Sequence, residues 1–330
     1  MKTYIMQRFT RSVVVACLGN FISGNRKTTR QQQVLAQLRN EIRREVDSHA
    51  NASTVKNNRT AVNCLERFMT ERGCSLKLAF TDLTPDMMKS FETWHLEHGM
   101  KVSYSAQNMR CLRAMLNRIA GPAGNLFGDV RTSNCQTEKR ALGEDTLRQI
   151  AGMDLSGNTD VMLARDLFMA SFYGMGIPLI DLLNIRKSQC HNGHVTYYRR
   201  KTHRKVEIEV CPEMQYVIDR YADDSSPFLF PVLTKTDSVE SMKEYRRFYQ
   251  RYSYALGKVA RRIGDDVHLT SYMARHSWAS IAYKNSVSVN DIAQALGHSN
   301  AKITYAYIKD IDISHLSKAN SIVVAAILKG

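Results

Sequence analysis

The chain has 330 residues, long for one compact core, so its length points to two domains. Hydrophobic residues make up 44%, which excludes a disordered chain, and no apolar run approaches the roughly 18 to 20 residues of a spanning helix. Lysine and arginine number 46 against 31 aspartates and glutamates, a formal net charge of +15 that suits a polyanionic partner better than a membrane surface.

Along the chain, Val13 to Leu18 is too short for an export signal's apolar core, and Asn20 and more basic residues follow it, so a cytoplasmic, nucleoid-associated protein is expected. Thr29 to Val46 has helical spacing, with Val34, Leu35, Leu38, Ile42 and Val46 on one face. A second helix starts near Ser53 and ends near Gly73, burying Val62, Leu65, Phe68 and Met69. Thr84-Pro85-Asp86 opens a third that stops near Gly99. The fourth runs from Ser105 to Ile119, with Met109, Leu112 and Leu116 inward; Arg110, Arg113 and Arg118 fall largely on its other side as candidate phosphate contacts. Gly121-Pro122-Ala123-Gly124 breaks the pattern. The expected division is an N-terminal helical extension at 1–50, a helical core DNA-binding domain at 51–121, a linker at 122–138 and a larger domain at 139–330. Residues 1–142 carry 22 basic and 11 acidic side chains, so the excess of positive charge is concentrated there.

The larger domain reads as mainly helical with one small β-hairpin, an α+β architecture. His194 to Arg200 and Val206 to Val210 alternate as strands, with Lys201 to Lys205 as the turn. Helices follow at about Ser241–Ile263, Tyr272–Asn285 and Val287–Leu296, and Ser321–Leu328 is a short apolar last helix. The seven cysteines are scattered, with no C-x-x-C pair, so neither a disulfide framework nor a metal site is expected.

The chemistry concentrates near the C-terminus. Ser271-Tyr272-Met273-Ala274-Arg275-His276-Ser277-Trp278-Ala279-Ser280 is followed by Ala295-Leu296-Gly297-His298-Ser299 and then by Thr304-Tyr305-Ala306-Tyr307. This closely resembles the C-terminal signature of tyrosine recombinases: an R-H-[ST]-x-A-[ST] helix start, an L-G-H-S turn, and a tyrosine nine residues after that histidine. Arg200-Lys201-Thr202…Lys205 resembles the family's lysine-bearing β-turn, and the helical module is similar in layout to its SAM-like core-binding domain. The resemblance implies that Tyr307 attacks a phosphodiester, with Tyr305 as its competitor. It also implies that Arg275 clamps the phosphate, that His298 donates to a phosphate oxygen, and that Lys201 protonates the leaving 5′-oxygen. The covalent bond conserves the energy of the broken strand, so no cofactor and no metal are required. Arg200 and Lys205 join the arginines of the fourth helix as expected DNA contacts.

Two positions depart from the pattern. The family's second box usually begins with histidine three residues before its arginine, and here that place holds Tyr272, a phenol that can still donate. The first box usually supplies another arginine, and the two alignments of Phe172 to Asp181 put Met175 or Pro178 there, neither of which binds phosphate. A missing transition-state donor typically costs ~10²–10³ in rate. Either activity is weakened, or Arg165, Arg186, Arg199, Arg200 or Arg204 takes the place.

The expected function is site-specific recombination of double-stranded DNA by four protomers on paired sites, through a 3′-phosphotyrosine: integration, excision or inversion, with the short N-terminal segment favouring a simple invertase. Free in solution the protein is expected to be a monomer or weak oligomer, with an accessory DNA-bending protein allowed for and no membrane partner. Ser321–Leu328 either docks onto a neighbouring protomer or covers its own core. The alternative is a DNA-binding accessory or regulator with a weakened active site.

Overall fold

The computed structural model describes residues 33–48, 52–122, 124–133, 141–235, 239–264, 267–298, 300 and 304–305. Thr29 and Tyr307, and the expected helix Ser321–Leu328, lie outside them. The chain divides into two compact units between Thr137 and Glu138.

In the first unit four amphipathic helices share one core: α1 (Val34–Asp47), α2 (Ala52–Glu71), α3 (Pro85–Glu97) and α4 (Val102–Ala120). Each buries one stripe, Val34, Leu35, Leu38 and Ile42 from α1 and Phe68, Phe91, Trp94 and Leu112 from the others. Thr84 caps α3, its hydroxyl accepting from the Met87 amide at 3.2 Å. Gly121, at φ +80°, ends α4. Packing does not set α1 apart as an extension ending at residue 50, because it lies directly against α2 and α4. Nor does the core stop at residue 121: Leu126, Phe127 and Val130, expected in a linker, are buried in it.

The fourth helix uses its arginines internally. Arg118 pairs with Glu41 at 2.6 Å and Glu45 at 2.5 Å on α1, Arg113 donates to the Thr132 hydroxyl at 2.9 Å, and Arg110 donates to the Thr132 carbonyl at 3.2 Å. In this conformation all three brace the fold.

The second unit is built around α6 (Thr159–Tyr173), with α5 (Glu144–Gly152) before it. Residues 164–171 of α6 are buried without interruption, the paired Arg165 and Asp166 among them, which makes it a central helix covered on nearly every side. After the short α7 (Leu179–Leu182) comes an antiparallel sheet of β1 (Cys190–His191), β2 (His194–Tyr198) and β3 (Lys205–Glu209), in that order. Val195 pairs with Ile208 and Tyr197 with Val206, so the alternation expected from the sequence turns these four into the core. Both strands end one or two residues earlier than expected. Then follow α8 (Pro212–Arg220), α9 (Val239–Ile263), α10 (Ser271–Lys284) and α11 (Val289–Ala295), with α9 and α10 packed on α6. Among the described residues no helix is long and apolar enough to cross a membrane.

Candidate active site

Arg275 lies one turn into α10 and is 1% exposed. Its Nη1 donates to the Gly176 carbonyl at 2.8 Å, and its Nη2 donates to the Leu296 carbonyl and lies 3.1 Å from Nε2 of His298. Guanidinium nitrogens only donate, so Nε2 is the acceptor, the proton sits on Nδ1, and Nδ1 donates to the Thr304 hydroxyl at 2.9 Å. Arginine, histidine and the turn Leu296-Gly297 thus form one buried cluster from segments more than 20 residues apart.

The β2–β3 turn docks on the same cluster. Arg199, just past β2 and 4% exposed, sends Nη1 to the carbonyls of Leu296 at 3.0 Å and Gly297 at 3.1 Å. The Thr202 hydroxyl donates to Gly297 at 3.0 Å. Gly297 has φ +60°, and an added Cβ would stand 2.9 Å from Val206 Cγ2 and 3.2 Å from Arg199 Cδ, so close approach as well as backbone conformation demands glycine there. Asp181, on α7, anchors the other side of the turn by accepting the Arg200 amide at 3.1 Å. Burial raises the Asp181 carboxyl above the usual range, against the opposing pull of that hydrogen bond and of Arg199, Arg200 and Arg275. In the sequence Asp181 only marks the end of the first box; its buried acceptor role needs the folded hairpin.

His298 is pushed down to about 3, first by burial and then by the positive charges of Arg275, Arg199 and Lys201. It is therefore neutral at neutral pH, and its Nε2 is an acceptor rather than the donor expected from the sequence. A histidine with a depressed folded pKa contributes stability above its unfolded value of about 6.5, and that contribution is lost as pH falls towards the folded value. The urea midpoint is accordingly expected to fall between pH 6.5 and 3 more steeply in the wild type than in His298→Gln. The raised carboxyl of Asp181, which acts in the opposite direction, is common to both proteins, so the difference between their two pH profiles reports His298. Parallel profiles would remove His298 as the cause.

The other expected residues are placed as follows. Lys201 is exposed on the turn, yet near enough to act on His298. Arg200 is exposed beside it, and Lys205 is exposed and pairs with Glu207 at 3.3 Å. Tyr272 is 38% exposed, its ring edge-on to His276 at 5.3 Å, on the same helix as the buried Arg275. Thr304 is fully buried, and the neighbouring Tyr305 is 57% exposed.

The first box contributes backbone. Met175 sits half-buried against the core at φ +58°, and Pro178 precedes α7, so neither side chain offers a donor to phosphate. What this segment supplies is the Gly176 carbonyl that holds Arg275. Gly176 has φ +75°, and an added Cβ would lie 2.8 Å from Arg275 Cα. Of the five arginines named as substitutes, Arg165 is committed elsewhere: Nε donates to Asp166 at 2.5 Å and Nη1 to the carbonyls of Ile150, Ala151 and Met153. Arg186, Arg200 and Arg204 are exposed, and Arg199 is buried in the cluster.

Residues 144–312 match the model of the phage integrase family, and residues 33–119 match the phage integrase SAM-like domain. The chain belongs to the phage integrase family. This family member is similar to the tyrosine recombinase XerA of Thermococcus onnurineus (strain NA1), 27% identical over 161 residues. That match covers 46% of this chain and 53% of the relative, so the chain spans about half the length of the curated protein it matches. Among solved structures, the integrase of the Tn1549 transposon in complex with a circular intermediate DNA superposes with a TM-score of 0.61 at 14% identity, over 88% of this chain and 99% of that one. The lambda integrase tetramer bound to a Holliday junction gives 0.59 at 14% identity, over 84% and 80%. At such identities the superpositions speak for the fold: a helical N-terminal unit and a mainly helical catalytic-type unit with a small antiparallel sheet.

Proposed function

We propose that this integrase-family chain is a site-specific recombinase that cleaves and rejoins double-stranded DNA through a 3′-phosphotyrosine. The observation that carries the reading is the buried Arg275–His298 pair with the lysine-bearing turn docked on it, six residues before Thr304 and nine before Tyr307. Positive charge concentrated at a buried turn has little structural purpose without an anion to meet it.

In the proposed reaction the phenolic oxygen of Tyr307 forms a bond to phosphorus as the bond from phosphorus to the 5′-oxygen breaks. Arg275 neutralises the non-bridging oxygens, and the Lys201 ammonium gives its proton to the leaving 5′-oxygen. On arrival of the phosphate, a bond from Arg275 to that anion replaces its contact with Nε2 of His298, freeing that nitrogen to take the proton that the Tyr307 phenol gives up; the imidazolium so formed then donates to a phosphate oxygen. Religation reverses the step: a 5′-hydroxyl attacks the phosphotyrosine and the phenol is released. Four protomers on two sites would carry out the exchange, with Arg200 and Lys205 on backbone phosphates, and an accessory DNA-bending protein remains compatible with this scheme.

A pool of nicked suicide duplexes drawn from the DNA around the gene tests the reading, because loss of the short cleaved strand traps the intermediate. Wild-type protein is expected to give a band that survives detergent and disappears on protease treatment. Sequence-specific binding with no covalent product would favour instead an accessory or regulatory DNA-binding protein.

A further inference from the structure

We propose that Arg199, at the base of the β2–β3 turn, is the second phosphate-clamping arginine of this active site and occupies the chemical place left empty by Met175 and Pro178. The inference rests on the recombinase reading above and deepens it.

Position comes first. The side chain of Arg199 enters the same cluster as Arg275, and both guanidinium groups donate to one atom, the Leu296 carbonyl oxygen. Two donors on one acceptor lie within about 6 Å of each other, a separation at which both can reach a single phosphate. The shared oxygen belongs to the residue two before His298, so all three side chains converge on one turn. Arg275 holds Leu296 and Gly176, Arg199 holds Leu296 and Gly297, and His298 leaves the same turn towards Arg275.

Unused capacity comes second. Among the described residues the buried Nε of Arg199 has no hydrogen-bond partner, and no carboxylate forms an ion pair with this guanidinium. An arginine that merely braced a turn would be expected to satisfy its buried donors, because an unmet donor costs roughly 1–3 kcal/mol. Here the fork is partly engaged by neutral carbonyls, which hold it in place without cancelling its charge, and a donor is kept in reserve. A phosphate oxygen satisfies that donor and makes the direct ion pair that Asp181, which acts on Arg199 only through space, does not form.

Chemistry comes third. A phosphodiester passing to a five-coordinate state gathers charge on two non-bridging oxygens, and two planar forks match them better than one. The other candidates fail on geometry, Arg165 being bound to three carbonyls and Asp166, and Arg186, Arg200 and Arg204 lying at the surface.

The test uses the full chain on the suicide duplex trapped by the wild type, made with an ordinary scissile phosphate and with a neutral methylphosphonate at that position. Arg199→Ala is expected to lower the rate of adduct formation ~10²–10³-fold on phosphate. On the methylphosphonate, where one negative charge is already gone, the deficit should shrink to less than about tenfold. Equal deficits on both substrates would mean that Arg199 only braces the turn, and an undiminished rate on phosphate would mean that it does nothing; either result overturns the proposal. Should Arg199→Ala fail to fold, as judged by its urea transition, Arg199→Lys keeps the charge without the fork and should show a smaller loss with the same relief. Met175→Arg in the wild-type background is expected to change the rate by less than about threefold, whereas a gain of ~10² would reveal a vacant cation place and overturn the assignment. Failure of the wild type to form any adduct would bring down the recombinase reading and this inference together. A wild-type adduct that Arg199→Ala forms equally fast would bring down this inference alone.

Discussion

Tyr307→Phe is expected to abolish the covalent adduct on the suicide duplex while leaving duplex affinity within about twofold of wild type. A phenyl ring keeps the size of tyrosine and lacks the only atom that can bond to phosphorus, and removal of a nucleophile typically costs on the order of 10⁶ in rate. The competing assignment is Tyr305, whose neighbour Thr304 is buried and accepts the Nδ1 proton of His298. Tyr305 is more than half exposed, which suits a residue that turns away from the cluster. Tyr305→Phe is therefore expected to retain adduct formation within about threefold, a change of no more than about 0.7 kcal/mol in barrier. A reversed pattern, with Tyr305→Phe inactive and Tyr307→Phe active, would reassign the nucleophile. Peptide mapping of the wild-type adduct gives an independent answer, since the DNA-linked peptide names the residue directly.

The second large effect is expected at a residue with no side chain. Gly176→Ala puts a methyl group 2.8 Å from the backbone of Arg275 at a φ of +75°, so conformational strain and steric overlap combine. The left-handed conformation costs a non-glycine residue about 1–2 kcal/mol, and overpacking typically adds about 1–3 kcal/mol. Gly73→Ala is the internal control. Gly73 ends α2 in the left-handed conformation at φ +66°, its amide bonded to the Thr70 carbonyl and that of Cys74 to Met69, with nothing within 4 Å of an added carbon, so it should show the conformational cost alone. Chemical unfolding followed by probes in each unit should thus show Gly176→Ala destabilising the second unit by about 2–5 kcal/mol and Gly73→Ala destabilising the first by about 1–2 kcal/mol. Activity should diverge further, because the Gly176 carbonyl fixes Nη1 of Arg275 and a displacement of about 1 Å can cost ~10²-fold in rate. Equal destabilisation by the two substitutions, with adduct formation intact in Gly176→Ala, would show that the close approach to Arg275 is relieved cheaply.

The elements differed in how legible they were, for physical reasons. Helices α1 to α4 each bury one stripe, so their periodicity appears in the sequence, and Thr84-Pro85 marks the start of α3. The central α6 is buried on nearly all sides and carries no single apolar stripe, so its sequence marks it only as part of a mainly helical domain. The strand β1 was missed although its signal was present: Asn192-Gly193, both at positive φ, form a two-residue hairpin turn with His191 paired to His194. The burial of Leu126, Phe127 and Val130 could not be read beside a Gly-Pro break, because it depends on which surface of the bundle is open to receive them.

The site divides along the same line. Arg275 and His298, and Tyr307 as the expected nucleophile, stand in short motifs whose residue types suit phosphoryl transfer and whose spacing resembles the tyrosine recombinase signature, so the sequence by itself pointed to the family and the kind of reaction to look for. Partnerships across long stretches of chain were decided only by tertiary structure, since a side chain's free charge depends on what folds against it. Arg118 looked available for phosphate until Glu41 and Glu45, more than 70 residues away, closed on it. Arg165 and Arg199 looked equivalent until one was bound to Asp166 and the other was set against Leu296 and Gly297 beside Arg275. Local motifs encode which atoms react; the packing of distant segments determines which cations remain free to meet them.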